Sequence, residues 1–219
     1  MDRQRPYSHD ELQEAKGDIS HAEGYKDKGL RAYAEGLKIS IETFKDFEGM
    51  RVLDLGSGAH LQFARGLESA GIKADTVSFS PAFADTKRAE EANPKFELVE
   101  DPDSKIKTKV VIEHMVAGMG EELPFADGTF NRIVCLNVVE HLGTWDRYIL
   151  FLNEIVRVLA PNGIAYIGPT KDFGQLLPAH AVSKEELEEI LNNEVEVTYH
   201  SQNKILRHLT LTLRKKNHD

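Results

Sequence analysis

Residues 51–60 read Arg-Val-Leu-Asp-Leu-Gly-Ser-Gly-Ala-His, and this stretch narrows the fold more than any other. Val52, Leu53 and Leu55 form a short apolar run, interrupted by Asp54 and stopped by Gly56. Such a run reads as a buried strand entering a tight turn. Beyond the turn, Leu61, Phe63, Ala64 and Leu67 recur at helical spacing. The unit is therefore strand, glycine turn, helix. Gly56 and Gly58 allow a ligand to approach the backbone, and the helix start offers unpaired N–H groups. Asp54, at the carboxyl end of the strand, can accept hydrogen bonds from a ligand's ammonium or hydroxyl groups. A dinucleotide fingerprint needs a third glycine at the position that Leu61 occupies, so that class of ligand is disfavoured.

Similar units come next along the chain. Residues 75–79 read as a second strand, and Ser80-Pro81 is a helix start signal. A third strand is expected near Glu113 to Ala117, with the earlier runs at 96–99 and 110–112 forming an added hairpin or an edge strand. Ile133 to Leu136 is a continuous apolar run, as a central parallel strand requires. Residues 146–159 predict an amphipathic helix with Leu150, Phe151, Ile155, Val158 and Leu159 on its apolar side. A turn at Pro161-Asn162-Gly163 leads into a fifth strand over Ile164 to Gly168. Ser183-Lys184-Glu185-Glu186 is a capping box opening a helix through about Asn192. The alternation of Val195, Val197, Tyr199 and of Leu209, Leu211, Leu213 predicts two closing antiparallel strands.

Upstream of the glycine turn, Ser8 to Glu11 has capping-box form, and glycines at 17, 24, 29 and 36 interrupt the residues after it. The best helix there is expected over Leu30 to Phe47, with Leu30, Tyr33, Ala34, Leu37 and Ile41 on one face. The chain thus divides into a helical segment over 1–48 and an α/β domain over 49–219. The first either packs on the sheet or serves as a lid, with Tyr7, Tyr25 and Tyr33 as candidate contacts.

Composition limits the partners. A net charge of −9 argues against nucleic acid, which needs a basic face. No apolar run approaches the roughly 20 residues of a membrane span, and the polar N-terminus has no signal-peptide pattern, so a cytoplasmic location is the default expectation. The single cysteine, Cys135, excludes an internal disulfide and a cysteine cluster for zinc, and its apolar setting predicts a buried, inert thiol.

Four stretches together resemble the class I S-adenosylmethionine-dependent methyltransferases. The glycine turn is similar to that family's D/E-x-G-x-G-x-G motif through Asp54, Gly56 and Gly58, with His60 in place of the third glycine. Val77 to Pro81 resembles V-D-x-S-P, with Ser78 in the acidic position. Glu121, Leu123, Pro124, Phe125, Asp127 and Phe130 fall in register with the family's E-x-L-P-F-x-D-x-S-F segment. Val139-Glu140-His141-Leu142 and Arg157-Val158-Leu159-Ala160-Pro161-Asn162-Gly163 are similar to its E-H-L and R-V-L-K-P-G-G stretches.

The resemblance implies a doubly wound, mostly parallel seven-stranded sheet with an antiparallel final strand. It also implies S-adenosylmethionine as cofactor and methyl transfer to an acceptor, expected to be a small molecule. Asp54, Gly56 and Gly58 would hold the methionine end, Ser78 would face the ribose, and Met119 and Gly120 the adenine. Ser57, Phe79, Glu121 and Asn137 complete that cofactor set, and Asn137, Glu140 and His141 would lie near the reacting methyl group, positioning rather than reacting. His141 has the chemistry of a general base near neutral pH; the competing role is to pack under the cofactor. The loop over 169–182 is the first candidate for choosing the acceptor. Ser78, Met119 and His60 each replace a usual cofactor-site residue, and so support an alternative: a non-catalytic scaffold that kept the fold.

Overall fold

A computed structural model describes residues 29–57, 61–80, 97–100, 107–110, 114–116, 118–170, 182–203 and 208–217. Its strands are β1 (Arg51–Leu55), β2 (Asp75–Phe79), β3 (Glu97–Glu100), β4 (Lys107–Val110), β5 (His114–Val116), β6 (Phe130–Leu136), β7 (Leu159–Thr170), β8 (Val195–Asn203) and β9 (His208–Lys215). Its α-helices are α1 (Gly29–Leu37), α2 (Gln62–Ser69), α3 (Trp145–Val158) and α4 (Lys184–Ile190).

Seven strands form one sheet in the order β5-β2-β1-β6-β7-β9-β8. β1 pairs in parallel with β2 and β6, β2 with β5, and β6 with β7. β9 runs antiparallel to both of its neighbours. The remaining runs, β3 and β4, form the added hairpin, as a separate antiparallel pair. Because β1 connects outward to β2 and β6 lies on its other side, strand order reverses between β1 and β6. The crevice beyond the carboxyl ends of these two strands is where open α/β sheets bind ligands.

Side-chain alternation gives each face its own core. Leu53 and Leu55 of β1, with Ile133 and Cys135 of β6, pack with Phe151, Leu152 and Ile155 of α3. Val52 and Val134 point the other way, into a layer made by Leu30, Tyr33 and Leu37 of α1 and Phe63 and Leu67 of α2. Burial on both faces explains why these strands read as continuous apolar runs.

Three expectations change. The helix foreseen over Leu30 to Phe47 is two pieces: α1, then a 3₁₀ helix over Ile41–Phe47. Lys38 adopts a left-handed φ of 55°, and Ser40 caps the second piece through the Glu42 N–H. The break turns Ile41 outward, 45% exposed, while Phe44 and Phe47 take the buried places. In α3, Leu150 is 54% exposed, and Tyr148, Leu152 and Val156 complete the buried face. The turn near Asn162 lies within β7 as a register shift, and Asn162 has a φ of 60°. The Ser183 capping box forms both of its hydrogen bonds. The Ser8 capping box, the helix at Pro81, Tyr7 and Tyr25 lie outside the described residues. Among the described residues, no helix is long and apolar enough to cross a membrane.

Candidate functional site

The β1 turn is tied to the end of β2. The N–H groups of Gly56 and Ser57 both donate to the Phe79 carbonyl, at 2.8 and 3.2 Å. Gly56 has a φ of +83°, and a Cβ there would collide with Val138 Cγ2. Only glycine meets both demands. Gly58 and His60 lie outside the described residues.

Asp54 shares the α1-facing side of β1 with Val52 and is fully buried. The Tyr33 hydroxyl of α1 donates to it, 3.2 Å from Oδ1 and 3.4 Å from Oδ2. Burial pushes the carboxyl pKa up to about 7, and the Tyr33 hydrogen bond only partly opposes that rise. The Tyr33 phenol is in turn pushed up, first by burial and then by Asp54.

Ser78 is the register partner of Asp54 on β2. Register partners in a parallel pair point to the same face, so the two side chains are neighbours. The Ser78 hydroxyl is buried and, among the described residues, has no hydrogen-bond partner. At the end of β6, Asn137 takes a left-handed φ of 58° and donates its N–H to the Gly168 carbonyl, which turns the chain across the sheet edge. Its Oδ1 is likewise buried without a partner among the described residues. Three adjacent strands thus end in polar groups with unused hydrogen-bonding capacity. Buried polar groups are normally satisfied, and among the described residues these fall together at one edge of the sheet.

Behind Asn137 a 3₁₀ turn, Val139–His141, buries Val139 and Leu142 and leaves His141 exposed. Glu140 lies in the same turn. Both belong to the turn that follows Asn137 along the chain.

The loop over 118–129 completes the rim. Met119 is half-buried and accepts the Glu122 N–H at 3.2 Å. Gly120 lies against Phe151 of α3, where a Cβ would meet the ring at 2.7 Å. Two expected cofactor contacts have other work for their side chains. The Glu121 carboxylate is held by Arg147, whose Nε donates to Oε1 at 2.6 Å. Phe79 is core, packed edge-on against Phe125 with ring centroids 5.9 Å apart, so its side chain belongs to the sheet's packing.

Sequence reasoning missed the clamp that holds this loop. Arg157 of α3 donates through Nη2 to the Leu123 carbonyl at 2.9 Å and through Nη1 to the Phe125 carbonyl at 2.7 Å. Its Nε and Nη2 also meet both carboxylate oxygens of Glu154, each at 2.8 Å, and Glu154 accepts the Leu123 N–H. An arginine between Val156 and Val158, at the end of an apolar helix, was the available signal. Cys135 is buried as expected, and burial pushes its thiol pKa far up, leaving it protonated and unreactive.

A family model described as a methyltransferase domain matches residues 53–167, from β1 to the fifth strand of the parallel set. Solved structures share the fold at low identity. The chain is similar to the N-methyltransferase NodS from Bradyrhizobium japonicum WM9, in complex with S-adenosyl-L-homocysteine: 15% identity, 94% of this chain and 98% of that chain covered, TM-score 0.58. It is similar to a S-adenosylmethionine-dependent methyltransferase from Methanosarcina mazei: 14% identity, 80% and 96% covered, TM-score 0.51. It is also similar to the CurJ carbon methyltransferase: 15% identity, 92% and 59% covered, TM-score 0.52. No curated protein sequence matches the chain.

Proposed function

This chain belongs to the methyltransferase domain family, and we propose that it moves a methyl group from S-adenosylmethionine to a small-molecule acceptor. The observation that carries this is the set of incompletely satisfied polar groups at adjacent strand ends: Asp54, Ser78 and Asn137. They fit the cofactor's chemistry. A carboxyl with spare lone pairs suits an ammonium, and a buried hydroxyl suits a ribose. When bound, the cofactor supplies a methyl group activated by a sulfonium.

In this proposal Asp54 and the Gly56-Ser57 turn hold the methionine end. Ser78 faces the ribose with one hydrogen bond rather than the paired, charge-assisted bonds of a carboxylate. The backbone of Met119 and Gly120 borders the adenine. Asn137, Glu140 and His141 lie nearest the acceptor and orient it, since alignment of the reacting atoms is the protein's main contribution to such a transfer. Neighbours that methylate nitrogen and carbon share this fold, so fold does not choose the acceptor atom. The net charge of −9 favours a small molecule over nucleic acid.

The buried, non-acidic Ser78 favours a second reading, a scaffold whose cofactor site has degenerated. Calorimetric titration with S-adenosylmethionine and S-adenosylhomocysteine separates the two. The expected result is saturable micromolar binding. At a hundredfold excess over Kd, ligand adds about 2.7 kcal/mol of stability, which is roughly 5–10 °C in Tm for a chain of this size. No heat and no rise in Tm at millimolar ligand would overturn the enzyme proposal.

A further inference from the structure

α1 delivers one polar atom to the sheet, and it goes to Asp54. Leu30, Ala34 and Leu37 of this helix are buried apolar residues, and Tyr33 is only 6% exposed. Its ring lies 4.8 Å from that of Phe63 on α2, tilted by 45°. Two close approaches fix the helix. A Cβ on Gly36 would collide with Leu136 of β6, and one on Gly66 of α2 would stand 2.9 Å from Leu30. The Tyr33 hydroxyl is therefore placed by packing on both sides, not by a flexible side chain.

Its position matters because of what it meets. Among the described residues, Tyr33 is the hydrogen-bond donor to the buried Asp54 carboxyl. A hydroxyl brings one proton and the two oxygens offer about four acceptor sites. The bond thus fixes the plane of the carboxyl while most of its capacity stays free.

We propose that Tyr33 is a positioning residue of the cofactor site, orienting Asp54 so that its remaining lone pairs meet the ligand's donors. This rests on the cofactor reading above. Among the described residues, the group acting on Asp54 besides its burial is Tyr33 from α1, while the field of Asp54 in turn raises the Cys135 thiol of β6. Ser78 beside it on β2 is neutral. Burial keeps both the phenol and the thiol protonated near neutral pH, so Asp54 is the group that titrates there.

The test is the Kd for S-adenosylhomocysteine between pH 5.5 and pH 9 for the full chain, Tyr33→Phe and Leu37→Ala. In the unaltered protein, affinity should rise with pH as Asp54 ionises to meet the ligand's ammonium. Tyr33→Phe removes a donor to the ionised form. Its affinity should fall about tenfold at pH 7, and its pH midpoint should move upward. Leu37→Ala loosens α1 without touching the hydroxyl, so it should lower Tm and leave the midpoint in place. A Tyr33→Phe midpoint equal to that of the unaltered protein, or a Leu37→Ala shift equal to that of Tyr33→Phe, overturns the positioning role. Absence of binding by the unaltered chain at every pH overturns both this proposal and the cofactor reading.

Discussion

Arg157 offers the sharpest test of how the cofactor loop is held. Its guanidinium joins three things at once: the Glu154 carboxylate on its own helix and the carbonyls of Leu123 and Phe125 in the loop. Arg157 is 31% exposed and Glu154 20%, so both charges are largely removed from water. The pair with Asp127, 80% exposed, adds nothing measurable to the sum. Charge-assisted hydrogen bonds contribute roughly 1.5–3 kcal/mol each, and water entering the partly open site recovers some of what Arg157→Ala loses. A net loss of about 3 kcal/mol is expected, or roughly 6–12 °C in Tm. Arg157→Lys keeps the charge but not the planar fork. It can serve Glu154 or a carbonyl, not all of them, and should lose about half as much. Thermal unfolding without ligand, followed by circular dichroism, measures both. If Arg157→Lys melts with the unaltered protein, charge alone holds the loop and the bidentate clamp is wrong.

Asp54→Asn should flatten the pH dependence of stability. The carboxyl pKa is about 7 when folded against an ordinary 3.8, so the folded state holds a proton that the unfolded state has lost. Stability from this group is therefore greatest below about pH 4 and declines as pH rises to about 7, by roughly 4 kcal/mol. Equal slopes of Tm against pH for Asp54→Asn and the unaltered chain would refute the buried, cation-free carboxyl. Ser78→Ala removes an unpartnered buried hydroxyl, and should raise Tm by a few degrees, about 1 kcal/mol, while weakening S-adenosylhomocysteine binding. A fall in Tm would show that the hydroxyl already has a partner.

The sheet was legible because each strand carries its own signature. Val52, Leu53 and Leu55, or Ile133 to Leu136, need no distant information to read as doubly covered strands. Caps were legible for the same reason: Ser183 and Glu186 bond to each other's backbone across one turn. The misreadings arose where partners lie far along the chain. Leu150 has the hydrophobicity of its neighbours, but the position of α3 on the sheet turns it to solvent. Partners far along the chain also left no local signal: the Glu121 carboxylate is held by Arg147, 26 residues on. Tyr33 and Asp54 lie 21 residues apart in sequence, and no local pattern announces that they meet.

Long-range partners also show where the site departs from the packing around it. In the neighbouring loop and helix, charged side chains removed from water find partners: Glu121 has Arg147, and Glu154 has Arg157. At the carboxyl ends of β2, β1 and β6 this rule lapses, for Ser78, Asp54 and Asn137 together. Natural proteins break local rules mainly at functional sites. A carboxyl kept half-satisfied in a dry site loses stability as pH rises from about 4 to about 7, and something that supplies a donor or a positive charge recovers that loss. In the proposed function the ligand's ammonium supplies it. The free energy withheld from the folded state then becomes affinity for the ligand, and for that reason Asp54→Asn and Ser78→Ala should separate stability from binding, whereas Tyr33→Phe, which takes the donor away from Asp54, should lower both.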